Sequence, residues 1–292
     1  MNFLIAGGTG LIGQQLRKAL LIKGHNVFIL SRTNNEDLIT WDIKSKKIER
    51  KFLDKVEVVI NLCGEGIADK RWTKKRRKEL HDSRVETTKL LFSARKHMPN
   101  LKHYISASGI TCYGSEYNPS GYSEKDSFGN DYISSLVKEW ESAAELFANL
   151  LPTTKIRIGV VLTKNGGAIE KMTKPIRFGL GSVIASGDQI ISWIHIDDLI
   201  SLFIHVIDNS LVGTFNAIST NTSNSEFMNE LANCINRKIW LPAIPAFFFR
   251  FIFGEMSTLL LNGVHVSNHK IKSTGFTFNY STLNLALKDL KL

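Results

Sequence analysis

The chain has 292 residues, with 37 Lys+Arg against 27 Asp+Glu and a formal charge of +10, a length that suits one large domain or two unequal ones. Hydrophobic residues make up 43% and charged residues 22%, an ordinary globular balance that excludes a disordered or collagen-like chain. Cys63, Cys112 and Cys234 are far apart with no CxxC pair, which excludes a disulfide framework and a cysteine-rich zinc site and fits a reducing compartment.

In chain order, Phe3–Ala6 reads as a buried strand, too short and without a basic n-region for a signal peptide. Gly10–Lys23 has helical spacing. Val27–Leu30 and Val56–Leu62 read as strands, Thr73–His97 as a helix, and His103–Ser106 as a strand. A helix over Asp131–Leu150 places Leu136, Trp140, Ala143, Ala144 and Phe147 on one face, and Lys155–Ile158 is the next strand. Strands alternating with helices predict right-handed βαβ units, hence an α/β fold with a Rossmann-type doubly wound parallel sheet.

Beyond about residue 160 glycines, amides and aromatics take over, followed by a helix at Asp197–Asp208 and a strand at Gly213–Ile218. Residues 1–162 are expected to form the dinucleotide-binding domain, with sheet elements returning at about 190–220. Residues 163–292 form a smaller substrate-side region or lid at the sheet's C-terminal edge, and its last part, from about 241, is rich in Phe and Leu. The apolar stretch Ile244–Leu261 is broken by Pro245, Arg250, Gly254 and Glu255, which excludes a membrane span. The cluster Phe247-Phe248-Phe249, Phe251 and Phe253 is expected in the core or at a dimer contact rather than on a membrane.

Gly7-Gly8-Thr9-Gly10-Leu11-Ile12-Gly13 follows the first strand and opens a helix, a GxxGxxG loop on Gly7, Gly10 and Gly13. Glycine permits the tight turn and lets backbone N–H groups reach a pyrophosphate, while the helix dipole favours the anion. The second strand ends Leu30-Ser31-Arg32 with no acid to hold a ribose 2′-hydroxyl. A serine and a guanidinium suit a 2′-phosphate instead, so NADP (NADPH) is the expected cofactor.

With that loop in place, further segments resemble the "epimerase family proteins" of the extended short-chain dehydrogenase/reductase superfamily, often labelled nucleoside-diphosphate-sugar epimerases. They are Asn61-Leu-Cys-Gly-Glu65, Arg71-Trp72-Thr73, Asp82-Ser-Arg84, Ser106-Ala-Ser108 leading to Tyr113-Gly114, and Lys138-Glu-Trp-Glu141. Arg157-Ile-Gly-Val-Val-Leu162 and Trp193-Ile-His-Ile-Asp-Asp198 complete the set. The resemblance implies NADP contacts at the glycine loop, Ser31-Arg32, Leu62-Cys63, Glu79, Arg84 and Val161, and an epimerase or oxidoreductase acting on a small, phosphorylated or nucleotide-linked substrate.

One part of the superfamily pattern is missing. No Tyr is followed four residues later by Lys, and counting back from Glu141 puts Ile133 and Val137 at the two positions of that pair. The lysine would lower the phenol's pKa for proton transfer. Ser108 is the candidate to polarise a substrate oxygen and Tyr113 a candidate proton donor, with Tyr132 and His195 weaker ones. Binding of NADP(H) without turnover is therefore an open alternative. Asp197 or Asp198 is expected to cap the helix that follows. The basic run Lys70, Arg71, Lys74 to Lys78 is expected to be a solvated helix face, with capture of a phosphorylated substrate as a minority reading. No metal, nucleic-acid or membrane partner is expected, and the expected location is cytoplasmic.

Overall fold

The computed structural model describes residues 1–32, 38–116, 118–164 and 166–292. Its centre is an eight-stranded sheet in the order β10-β7-β6-β5-β1-β2-β3-β4. These strands are β1 (Asn2–Ala6), β2 (Asn26–Ser31), β3 (Ile39–Asp42), β4 (Lys47–Ile48), β5 (Val58–Asn61), β6 (His103–Gly109), β7 (Thr153–Ile158) and β10 (Gly213–Ala217). All neighbours run parallel except the β3–β4 hairpin at one edge.

Period-two alternation explains the layers. Phe3 and Ile5 of β1 face one way, joined by Ile29, Val58, Ile60, Ile105 and Ile156. Helices α1 (Leu11–Ile22) and α6 (Ile196–Asp208) cover that face with Leu16, Leu20, Leu199 and Phe203. Leu4 and Ala6 face the other way with Leu30, Val59 and Tyr104, under α3 (Thr87–Ala94) and α4 (Tyr132–Ala148). The chain leaves β1 for β2 on one side and returns to β5 on the other. That crossover leaves a crevice at the C-terminal ends of β1 and β5, where such sheets bind ligands.

A three-stranded sheet, β11-β9-β8, packs beyond the main one. It is built from β8 (Val160–Leu162), β9 (Ile190–His195) and β11 (Thr220–Ser223), with α5 (Gly167–Arg177), α7 (Asn224–Cys234) and α11 (Leu283–Leu290) against it. Helices α8 (Ala246–Phe253), α9 (Thr258–Leu261) and α10 (His269–Lys272) complete the C-terminal part. No helix among the described residues is long and apolar enough to cross a membrane.

Four local readings change. The single helix expected over Thr73–His97 is α2 (Lys74–His81), a wide π-turn at Asp82–Glu86, then α3 and a 3-10 turn. The wide turn sets Arg84 inward, and the Thr87 and Thr88 hydroxyls donate to the Arg84 carbonyl. Neither Asp197 nor Asp198 caps α6. His195 does, its Nδ1 accepting from the Asp197 N–H at 3.3 Å, while buried Asp198 accepts from the backbone N–H groups of Asn279 and Tyr280.

The basic run is only partly solvated. Arg76 is buried on Glu79 and the Gly66 carbonyl, and Arg77 joins Glu255 and lies over the Tyr132 ring. The Phe cluster is not core, since no residue of α8 is buried.

His103 is buried, with its Nε2 2.8 Å from the Thr154 hydroxyl, and desolvation lowers its pKa below 6.5. A lowered folded-state pKa gives stability that is complete above the unfolded value and lost as pH falls below it. Urea unfolding should therefore show stability declining from roughly pH 7 towards pH 5, with a shallower decline in His103→Gln.

Candidate functional site

The glycine loop joins β1 to α1 at the crevice. Gly7 has φ +80°, and a Cβ there would stand 2.8 Å from the Leu62 carbonyl carbon. A Cβ on Gly13 would stand 2.4 Å from the Gly7 carbonyl oxygen. Bare backbone is what lets strand, loop and helix approach each other here. Gly10 stands at the N-cap of α1 and offers no side-chain cap, and the first turn holds no acidic residue. The first-turn N–H groups of a helix lack intrahelical partners, so this terminus offers donors and a positive dipole end to an anion. Gly13→Ala should cost about 1–3 kcal/mol of stability by overpacking, read by thermal unfolding, and should reduce dinucleotide affinity in a parallel titration.

The other cofactor candidates converge on this loop. Leu11, Ile12, Leu62 and Val161 pack against the same core cluster. A Cβ on Gly166 would touch the Leu11 side chain at 3.2 Å, and one on Gly167 would stand 3.9 Å from the Val161 carbonyl oxygen. Thr9 is exposed at the loop's tip, its carbonyl accepting from the Gln14 amide. At the end of β2, Ser31 is buried and the Arg32 side chain is 73% exposed, with its Nη1 3.4 Å from Glu65 Oε1.

The segment after β5 is held from below. The Asn61 amide donates to the Thr88 and Tyr104 hydroxyls, and its Oδ1 accepts from the Cys63 N–H. Burial pushes the Cys63 thiol up to about 12. Arg84 donates to the Leu80 and Glu65 carbonyls and lies over the Trp140 ring. A Cβ on Gly64 would meet its guanidinium at 3.0 Å. Desolvation brings Arg84 down to about 10.

Two of the NADP-contact candidates, Arg84 and Glu79, also have partners within the protein. The described hydrogen bonds of Arg84 run to the protein's own carbonyls and the Ser83 hydroxyl. Glu79 faces Arg76, which in turn grips the Gly66 carbonyl. Both side chains hold the 64–66 backbone beneath the crevice.

The two catalytic candidates share one buried chain of polar contacts. Ser108 donates to Glu141 Oε1 at 2.6 Å. Arg157 clamps the same carboxylate through Nε at 2.8 Å and Nη2 at 2.9 Å, and its Nη1 donates to the Tyr113 hydroxyl at 2.9 Å. That hydroxyl donates to Asn216 Oδ1 at 2.7 Å. Arg157 lies between the Tyr113 and Phe128 rings. Burial opposes its charge, but the Glu141 carboxylate outweighs that and raises its pKa. Burial also raises the Tyr113 phenol above the ordinary range, the wrong direction for proton exchange near neutral pH.

Ser108 and Tyr113 are thus committed to the joint between β6, α4, β7 and β10. Ile133 and Val137 are buried and apolar. Tyr132 packs on Trp72 and Arg77, and His195 caps α6. Sequence reading missed this network. Glu141 and Arg157 stood inside quoted segments, whereas Asn216 carried no signal.

Comparison with known proteins bears on this arrangement. Residues 3–217 match the model of the NAD dependent epimerase/dehydratase family, and residues 244–290 match a domain of unknown function, DUF1731. Epimerase family protein SDR39U1 of Mus musculus is 36% identical over 99% of both chains. Epimerase family protein SAR0825 of Staphylococcus aureus is 33% identical over 99% of this chain and 98% of its own. The crystal structure of human epimerase family protein SDR39U1 with NADPH superposes with TM-score 0.90 at 32% identity, covering 100% of this chain and 99% of that one. UDP-glucuronic acid 4-epimerase from Bacillus cereus shares the fold, with TM-score 0.79 at 17% identity over 100% and 99% of the two chains. A glycine loop at the β1–β5 crossover and end-to-end likeness to these proteins agree: the chain belongs to the NAD dependent epimerase/dehydratase family, in its extended short-chain dehydrogenase/reductase form.

Proposed function

We propose that this chain binds NADP(H) at the crevice and acts as an oxidoreductase or epimerase-like enzyme on a small, phosphorylated or nucleotide-linked substrate in a reducing, cytoplasmic setting. The observation that carries the cofactor is Arg32, an exposed guanidinium where an acid would select NAD, beside an uncapped glycine-loop helix. The human relative crystallised with NADPH supports it. When bound, NADP(H) supplies hydride transfer. The chain's own part is to hold the ligand: the loop N–H groups take the pyrophosphate, Arg32 the 2′-phosphate, and Arg84 and Arg76 fix the 64–66 backbone beneath it. With Ser108 and Tyr113 sealed and apolar side chains at the Tyr–Lys positions, the proton for such chemistry comes from water or from the substrate.

That sealing also favours a second reading, NADP(H) binding without turnover. The protein should be incubated with NADPH and a panel of nucleotide-sugars and carbonyl compounds. Nicotinamide absorbance and product stereochemistry are then followed, because an epimerase recycles its cofactor. Loss of absorbance or a new epimer supports the enzyme. Tight NADPH binding with every substrate inert supports the second reading.

A further inference from the structure

We propose that the exposed side of α8, with the paired 178–184 and 240–244 segments, docks onto an anionic lipid surface. On α8, Phe247, Phe248, Phe251 and Ile252 fall at i, i+1, i+4 and i+5, one side of a helix. All four are exposed, Phe251 to 82% and Phe247 to 62%. Phe249 and Phe253, on the opposite side, are half-buried, and Phe253 packs against the cluster of Trp72, Leu80 and Met256. A folded chain seldom leaves a contiguous aromatic face in water without using it.

A second exposed apolar segment leads into α8 along the chain. Ile184 and Ile244 pair in parallel, the Ser182 hydroxyl donates to the Pro242 carbonyl, and the Ile244 N–H donates to the Val183 carbonyl. That register carries Phe178 and Leu180 alongside Trp240, and all three are more than 60% exposed.

Charge selects the occupant. Neither residues 171–187 nor residues 231–254 contain an acidic side chain. They carry exposed Lys174, Arg177, Arg237, Lys238 and Arg250 around the aromatics. Aromatic side chains flanked by cations suit the boundary between headgroups and acyl chains, and anionic leaflets attract such clusters. A second copy fits less well, because a two-fold contact brings this cationic patch against another of the same sign, with no acid within either segment to pair it. This docking is peripheral, so it departs from the expectation of no membrane partner while leaving the exclusion of a span intact. It is independent of the cofactor reading.

The test is co-sedimentation of the full chain with phosphatidylcholine vesicles, pure or with about one-third phosphatidylglycerol, at low and high salt. The expected result is binding to anionic vesicles at low salt, a blue shift of tryptophan emission, and little binding to neutral vesicles. Phe247→Ser with Phe251→Ser should lower the bound fraction about tenfold without changing the thermal midpoint. Arg177→Glu with Arg250→Glu should weaken binding to anionic vesicles similarly. The proposal is overturned if the wild type ignores anionic vesicles, or if both double variants bind as it does. Binding polyglutamate as tightly as vesicles overturns it in favour of an acidic protein. A dimer that the Phe variant dissociates, with vesicles ignored, overturns it in favour of a second copy.

Discussion

Glu141→Ala is expected to lower the free energy of unfolding by about 3–5 kcal/mol, the range for removing one partner of a buried ion pair. The lost carboxylate accepts from Ser108 and twice from Arg157, and all three residues are buried. Its removal strands a guanidinium between two aromatic rings with no other carboxylate bonded to it among the described residues. For a chain of this size the thermal midpoint should drop by roughly 10 °C. A double variant, Glu141→Leu with Arg157→Met, should recover part of the loss because no charge stays buried. Ser108→Ala should cost only about 1 kcal/mol. If Ser108→Ala instead removed NADPH-dependent turnover at unchanged stability, the serine would be catalytic and the network would open in the working enzyme.

A titration of NADPH against NADH should show at least about tenfold preference for NADPH, or 1.4 kcal/mol, and Arg32→Ala should remove most of it. The magnitude is modest because the Arg32 side chain is exposed and 3.4 Å from Glu65, which competes with a phosphate for it. The preference should fall as salt rises. Equal affinity for both nucleotides would mean that Ser31-Arg32 does not read the 2′-phosphate. No binding of either would remove the function proposed for the crevice.

The sheet and the loop were legible because their signals are local. A strand buried on both faces reads as an unbroken apolar run, as in Phe3–Ala6, and a glycine that must accept φ +80° announces itself. The Tyr–Lys gap was legible too, since it is a matter of residue identity at a spacing. What escaped depends on partners distant in sequence. Nothing near Ser108 in the sequence reveals that Glu141, 33 residues away, accepts its hydrogen bond. Asp198 looked like a helix cap, yet its partners lie more than 80 residues downstream. The cations at 70–78 looked solvated until Glu255 and the α8–α9 region folded against them. Exposure of the Phe cluster was equally invisible, since composition alone sends five phenylalanines inward.

The Asp198 clamp ties two distant parts of the chain into one cooperative unit. Ile271 and Phe276 close the same core face as α1 and α6, and Asp198 holds the backbone of Asn279 and Tyr280. A backbone cut between Phe276 and Asn279 would therefore free both the clamp and the side chains that close the core, and would loosen α6 although α6 itself stays uncut.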